Sequence, residues 1–286
     1  MLSPISLKLI QLAIKEDVGS GDITTLALIP PDQRATARII AKEALTVCGN
    51  KVAETVFHQL DSEVDYRTVV EDGEIVAAGG TVAELSGSLA TLLQGERTAL
   101  NFMQRLSGVA TLTAAVVAEV SHTKAQILDT RKTTPGWREL EKYAVRCGGG
   151  TNHRLGLFDQ VLIKNNHLDA TGADAGTAVK IAREKVRPGV SIEVEVRNID
   201  ELTQAAKARP DLILFDNMSP PQLVSALIVL RTLDPLNEIK TEASGGITLD
   251  NVRQYAETGV DSISLGLLTH SARAVDLSLR IQHEDR

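Results

Sequence analysis

Six short strand-like runs punctuate this chain from residue 126 onward, at 126–130, 160–164, 191–196, 211–215, 239–243 and 261–265. Amphipathic helical patterns at 174–186, 199–208, 221–233 and 250–258 lie between most of them. Brief apolar runs bounded by polar residues read as buried strands, and the longer 3.6-period segments read as helices. Strand, helix, strand, repeated, implies parallel βαβ units, because a parallel neighbour cannot be reached through a tight turn. A β/α barrel and an open doubly wound sheet both satisfy this rhythm. The residues at the downstream strand ends favour the barrel: Arg131, Lys132, Lys164, Glu195, Asp216, Ser244 and Gly266 all look functional. A barrel brings every strand end onto one rim around one pocket. An open sheet gathers only the ends beside its switch point.

The first third has another rhythm. Residues 6–16 have helical composition and spacing, and 17–25 form a turn-rich loop. Alternation over 35–47 fits a half-exposed strand, 50–60 fits a helix, and short strands are expected near 64–70 and 81–85. Ser88 is placed to cap a helix over 89–106, with Leu89, Leu92, Leu93, Leu100, Met103 and Leu106 on one face. The expected organisation is an α/β protein with an N-terminal α/β domain over 1–107 and a barrel over 108–269.

Charge marks the chemistry. The chain carries a net charge of −7, yet between Arg131 and Lys164 seven basic residues (131, 132, 138, 142, 146, 154, 164) face three acids (139, 141, 159). Cations set among glycines just after strand-like runs suit a small, highly charged anion. A pI near 5.5 and an aromatic content of 3% argue against a nucleic-acid surface or a base-stacking platform. Cys48 and Cys147 have no metal-ligand spacing and suit free thiols in a reducing cytoplasm. No signal peptide and no apolar stretch of membrane-spanning length is recognised, so no membrane partner is expected.

The motifs then converge. Glu-Asp-Val-Gly-Ser-Gly-Asp-Ile-Thr stands at 16–24, Gly-Glu-Arg-Thr-Ala-Leu-Asn at 95–101, and Asp-Thr-Arg-Lys-Thr-Thr-Pro-Gly at 129–136. Gly-Gly-Gly-Thr-Asn-His-Arg follows at 148–154, Glu-Val-Glu-Val at 193–196, Leu-Phe-Asp-Asn at 214–217 and Glu-Ala-Ser-Gly-Gly-Ile at 242–247. In this order and over most of the chain, they resemble the quinolinate phosphoribosyltransferase family, the carboxylating nicotinate-nucleotide pyrophosphorylases of NAD biosynthesis. The resemblance implies an N-terminal α/β sandwich, an incomplete barrel of the seven-strand type, and a last helix over 270–286 that returns to the first domain. It implies a reaction of quinolinate with 5-phosphoribosyl-1-pyrophosphate and Mg²⁺, giving nicotinate mononucleotide, pyrophosphate and CO₂. It also implies a homodimer, or a higher oligomer built on one, in which Arg97 completes the neighbour's site.

Residue chemistry agrees with that expectation. Arginine grips planar carboxylates through paired hydrogen bonds, so Arg131 and Arg154, with His153 and Thr130, are candidates for quinolinate. Lys132 and Lys164 suit flexible point charges near carboxylate or pyrophosphate. Glu195 and Asp216 end successive strands and could hold Mg²⁺, the ribose hydroxyls, or both. Ser244, Gly245 and Gly246, with Ser264, Leu265 and Gly266, follow the last two strands, where barrels cradle phosphates with backbone N–H groups.

Blander readings compete. Any one charged strand end is as readily a solvated residue as a functional one. Glu193 reads as a partner of a basic residue, Glu242 similarly, and His167 as a structural hydrogen-bonding residue. Cys147, Trp137, Tyr143 and Phe158 read as packing residues. Asn165 stands where the family more often has an acid, and Trp137 and Arg197 are further departures. Three rivals remain: a molybdate-transport-associated pyrophosphorylase-like protein, a phosphate-binding barrel lyase using Lys164 as a Schiff base, and a non-catalytic anion-binding barrel.

Overall fold

A computed structural model of the chain describes residues 2–282. In chain order its first elements are α1 (Pro4–Val18), α2 (Ile23–Leu28), β1 (Arg34–Ala41), β2 (Leu45–Thr46), α3 (Asn50–Leu60), β3 (Asp65–Thr68), β4 (Ile75–Val76), β5 (Thr81–Ser88) and α4 (Leu89–Val120). There follow β6 (Gln126–Leu128), α5 (Arg138–Cys147), β7 (Val161–Ile163), α6 (Asn165–Thr171), α7 (Ala175–Lys185), β8 (Ile192–Val196), α8 (Ile199–Lys207) and β9 (Leu212–Asp216). The last are α9 (Pro220–Leu233), β10 (Lys240–Ser244), α10 (Val252–Ala256), β11 (Ser262–Ser264), α11 (Leu267–His270) and β12 (Leu277–Gln282).

These elements fall into two units. The first runs to Ala114 and adds Thr133–Gly149 and the chain from Leu268 on; the second takes Ala115–Lys132 and Gly150–Leu267. In the first, an antiparallel sheet has the order β12-β1-β5-β3, and β2 and β4 form a small ribbon. Helix α4 buries Leu92, Leu100, Met103 and Leu106 completely or nearly so, as their spacing requires. Each such side chain stabilises the fold by about 1.5–3 kcal/mol. At Gly108 this helix has no room for a side chain, since a Cβ would lie 1.9 Å from the carbonyl oxygen of Arg273.

The expected last helix over 270–286 is not what forms. Residues 277–282 make strand β12, antiparallel to β1 with Ile39 opposite Leu279; residues 283–286 lie outside the described residues. The reason is the period: Leu277, Leu279 and Ile281 alternate with Ser278, Arg280 and Gln282, placing one apolar face on the sheet. The strand does return to the N-terminal sheet, as the resemblance implied.

The second unit is built on a parallel sheet ordered β6-β11-β10-β9-β8-β7, so the last strand lies beside the first. All six predicted strands are present. A single parallel bridge between Leu128 and Thr151 extends the β6 edge, with no seventh strand formed among the described residues. Helices α7, α8 and α9 pack in sequence along the sheet, as right-handed crossovers demand. Register sets the rim: Asp216 pairs with Ser244, which pairs with Ser264, which pairs with Leu128. On β8 every residue is buried, with Ile192, Val194 and Val196 on one face and Glu193 and Glu195 on the other.

Candidate active site

The strand C-termini of the second unit surround a pocket of about 400 Å³. The β6 end supplies Thr130, Arg131 and Lys132, the 151–154 segment supplies His153 and Arg154, and β7 supplies Lys164. Opposite them stand Glu195, Asp216, Ser244, Gly245, Gly246 and Ser264. Leu265 and Gly266 do not line it: the Leu265 N–H donates to the Leu128 carbonyl at 3.0 Å, and its side chain is buried. Arg97 lies exposed on α4, in the first unit.

Asp129, fully buried at the end of β6, accepts from the Asn152 amide and from the His153 backbone N–H at 2.9 Å. This anchor fixes the His153–Arg154 turn. His153 Nδ1 accepts from the Arg154 N–H at 2.7 Å, so the ring proton sits on Nε2, 3.0 Å from Glu193. Glu193 also accepts from Gln160 at 3.0 Å, and Glu242 lies 3.6 Å from the same imidazole nitrogen. Glu193 and Glu242 are both completely buried. Burial first, and the Glu193 charge second, push the Glu242 carboxyl up to about 8, with His153 and then Ser264 opposing them. Arg154 is largely buried and donates to the Gln160 carbonyl at 3.2 Å. Its pKa is drawn down by burial and then by the neighbouring Arg131 charge, the signature of two guanidiniums gathered for an anion.

The acidic half is held by a residue that the sequence reading treated only as a departure. Asn165 Nδ2 donates to Glu195 at 2.7 Å and lies 3.4 Å from Asp216, bridging the two carboxylates. Lys164 Nζ is 3.9 Å from Glu195. The Glu195 carboxyl is pushed up to about 6, by burial first and by the like charge of Asp216 second, while Lys164 pulls it down. Asn217, also unforeseen, takes a left-handed φ of 55° and donates to Asp216 at 3.0 Å. Its side chain packs where a Gly245 Cβ would fall, 2.2 Å from Oδ1. Gly245 and Gly246 have φ of 97° and 65°, turning successive N–H groups in a way that side chains would resist. Ser264 Oγ donates to Ser244 Oγ at 3.0 Å beside them.

His167 has the structural role expected of it, its Nδ1 accepting from the Lys164 N–H at 2.8 Å at the start of α6. Trp137 stacks on Phe102 at 4.7 Å, but Phe158 is exposed rather than packed. Lys164 is about half exposed and faces a carboxylate, not the apolar enclosure that Schiff-base chemistry requires.

A β/α sheet that gathers arginines, lysines and histidine against a bridged carboxylate pair and a Ser-Gly-Gly turn defines an anion-handling barrel enzyme. Comparison with known proteins narrows the class. The family models for the N-terminal and C-terminal domains of quinolinate phosphoribosyl transferase match residues 22–107 and 109–280. The chain is 44% identical over 274 residues to a probable carboxylating nicotinate-nucleotide pyrophosphorylase of Bacillus subtilis, covering 96% of this chain and 92% of the relative. Among solved structures, the nicotinate-nucleotide pyrophosphorylase of Francisella tularensis superposes with a TM-score of 0.91 at 40% identity, over 99% of this chain and 98% of that one. NadC from Streptococcus pyogenes gives 0.93 at 37% identity, over 100% and 99%. This chain belongs to the quinolinate phosphoribosyltransferase family.

Proposed function

We infer that this protein transfers the phosphoribosyl group of 5-phosphoribosyl-1-pyrophosphate to quinolinate, releasing pyrophosphate and CO₂ and yielding nicotinate mononucleotide for NAD synthesis. The observation that carries this reading is the division of one pocket into a cationic half, a carboxylate pair and a glycine turn. Quinolinate is a dianion, and Arg131, Arg154 and His153 offer planar, directional donors for it, with Thr130 beside them. The Ser244–Gly246 turn and Ser264 suit the 5-phosphate, while Lys132 and Lys164 suit the pyrophosphate.

Glu195 and Asp216 suit a divalent cation and the ribose hydroxyls. The donor set fits Mg²⁺: both ligands are hard oxygens, and a cation would relieve the repulsion that raises Glu195. When bound, Mg²⁺ neutralises charge on the departing pyrophosphate. The chain's own residues do the rest. The arginines hold the pyridine ring so that its nitrogen attacks the anomeric carbon as the C–O bond to pyrophosphate breaks. Glu195 and Asp216 stabilise the positive charge that develops on the ribose ring. Removing one such preorganised charge costs roughly 3–4 kcal/mol, or ~10²–10³ in rate. The positive pyridinium nitrogen stabilises the electron pair left on the adjacent ring carbon when its carboxylate departs as CO₂, and that carbon then takes a proton from solvent to give the product.

The working unit we propose is a cytoplasmic homodimer in which the partner subunit's Arg97 reaches the pocket. The exposed apolar side chains Ile5 and Leu12 on α1 and Ile23, Leu26 and Leu28 on α2 support burial by another chain. No helix among the described residues is long and apolar enough to cross a membrane.

The test is release of CO₂ and pyrophosphate from purified protein given quinolinate, the phosphoribosyl donor and Mg²⁺, with nicotinate in parallel. Turnover with quinolinate alone, lost in Arg131→Ala and Arg154→Ala, is expected. A folded dimer that turns over neither substrate would return the molybdate-associated relative to first place.

A further inference from the structure

We infer that Cys48 and Cys147 form an oxidant-triggered dithiol–disulfide pair, a modification site in the first unit that uses none of the pocket residues. Cys48 lies just before α3, and Cys147 is the last residue of α5. Their sulfurs, with an Asp72 oxygen, lie within 4.8 Å of one another. Both are free thiols among the described residues.

The pair is asymmetric in the way that oxidation chemistry requires. Cys48 is completely buried, and burial holds its thiol well above the ordinary range. Cys147 is half-buried, and its thiol is held below the ordinary range chiefly by the neighbouring Cys48 thiol, against the cost of burial. Their sequence neighbours Gly49 and Arg146, with Asp72 and Tyr143, line a pocket of about 370 Å³.

A metal reading is weaker. Asp72 already accepts from the Gly49 N–H at 3.1 Å, the Asn50 N–H at 3.1 Å, the Asn50 amide at 2.8 Å and the Tyr143 hydroxyl at 2.9 Å. Its oxygens cap α3 and are not left over for a cation.

The oxidant is a hydroperoxide, hydrogen peroxide in the simplest case. The Cys147 thiolate attacks one peroxide oxygen, the O–O bond breaks, and the departing hydroxide takes a proton to leave as water, giving a sulfenic acid. The Cys48 sulfur then attacks the sulfenic sulfur, the S–O bond breaks, and the hydroxide leaves with the Cys48 proton as a second water. Two thiols and one peroxide become one disulfide and two waters.

The experiment treats the reduced full-length protein with limiting hydrogen peroxide, blocks remaining thiols, and maps peptides without reduction. The expected result is an intramolecular cross-linked peptide containing both cysteines, a mass loss of two hydrogens, and full reversal by a thiol reductant. In Cys48→Ser the sulfenic acid should persist at Cys147 and be trapped by dimedone; in Cys147→Ser the Cys48 thiol should survive the same exposure. Overoxidation of Cys147 without a cross-link, a cross-link between chains, or oxidation of Cys48 ahead of Cys147 would each overturn the inference. Should a variant fail to fold, formation and reversal of the cross-link in the unmodified protein still decide it.

Discussion

Asn165 is the residue on which the acidic half of the pocket turns. Its amide donates to one carboxylate and faces another, so it spaces two like charges without adding a third. Burial first and the like charge of Asp216 second push the Glu195 carboxyl up to about 6 from its ordinary 4.5. In Asp216→Asn the repelling charge is gone and the Glu195 titration should move down toward 4.5; in Asn165→Asp a third carboxylate should move it above 6. Carboxyl-carbon NMR of the metal-free protein reads both shifts, and movement in the same direction would refute the bridging role. Much of the pocket was legible at this scale, because arginine, lysine and acid side chains at the ends of apolar runs carry their chemistry in their identity. Asn165 and Asn217 were not, since an amide declares its role only through what it touches. Leu265 was over-read for a related reason. A backbone N–H carries no mark in the sequence of the neighbouring strand that claims it, here β6.

Elements were legible where their period was unambiguous and uncertain where they were short. All six parallel strands lie where strand-like runs are read, yet not all are continuous apolar stretches: β8 alternates Ile192, Val194 and Val196 with Glu193 and Glu195, and β10 reads Lys-Thr-Glu-Ala-Ser. The C-terminal segment misled because the six residues of β12 are too few to establish a period without knowing that β1 offers an edge. The pairing beyond β6 is one bridge at Thr151, too short a contact for any propensity to forecast. Helix α4 runs on to Val120, beyond the expected end at 106, since nothing in Ser107–Val120 stops it; Gly108 is retained not as a break but for close approach. Gly108→Ala should accordingly destabilise the first unit by about 1–3 kcal/mol, because the added methyl meets backbone that cannot swing away. Urea unfolding should show it as a lowered midpoint. An unchanged midpoint would mean that the chain around Arg273 yields without cost.

At the scale of the whole molecule, two properties are not carried by any one element. The first is the pH dependence of stability. Glu242 ionises near 8 when folded and near 4.5 when unfolded, so the folded state holds its proton more tightly between those values. Its contribution is complete below about 4.5 and is lost as pH rises through about 8, and Glu242→Gln should flatten that decline in a series of urea midpoints. A decline of equal steepness in the variant would assign it elsewhere. The second is the proposed sharing of the active site between subunits. If a site uses Glu195 from one subunit and Arg97 from the partner, Arg97→Ala and Glu195→Gln homodimers are each inactive for different reasons. When the two are unfolded together and refolded in equal amounts, half of the dimers are mixed. In each mixed dimer one site has both residues intact and the other has neither. Recovery of about one quarter of the wild-type activity is therefore expected from the symmetry of a closed dimer. Were Arg97 to serve its own chain's pocket, every site in the mixture would lack one residue or the other, and no activity would return at any mixing ratio.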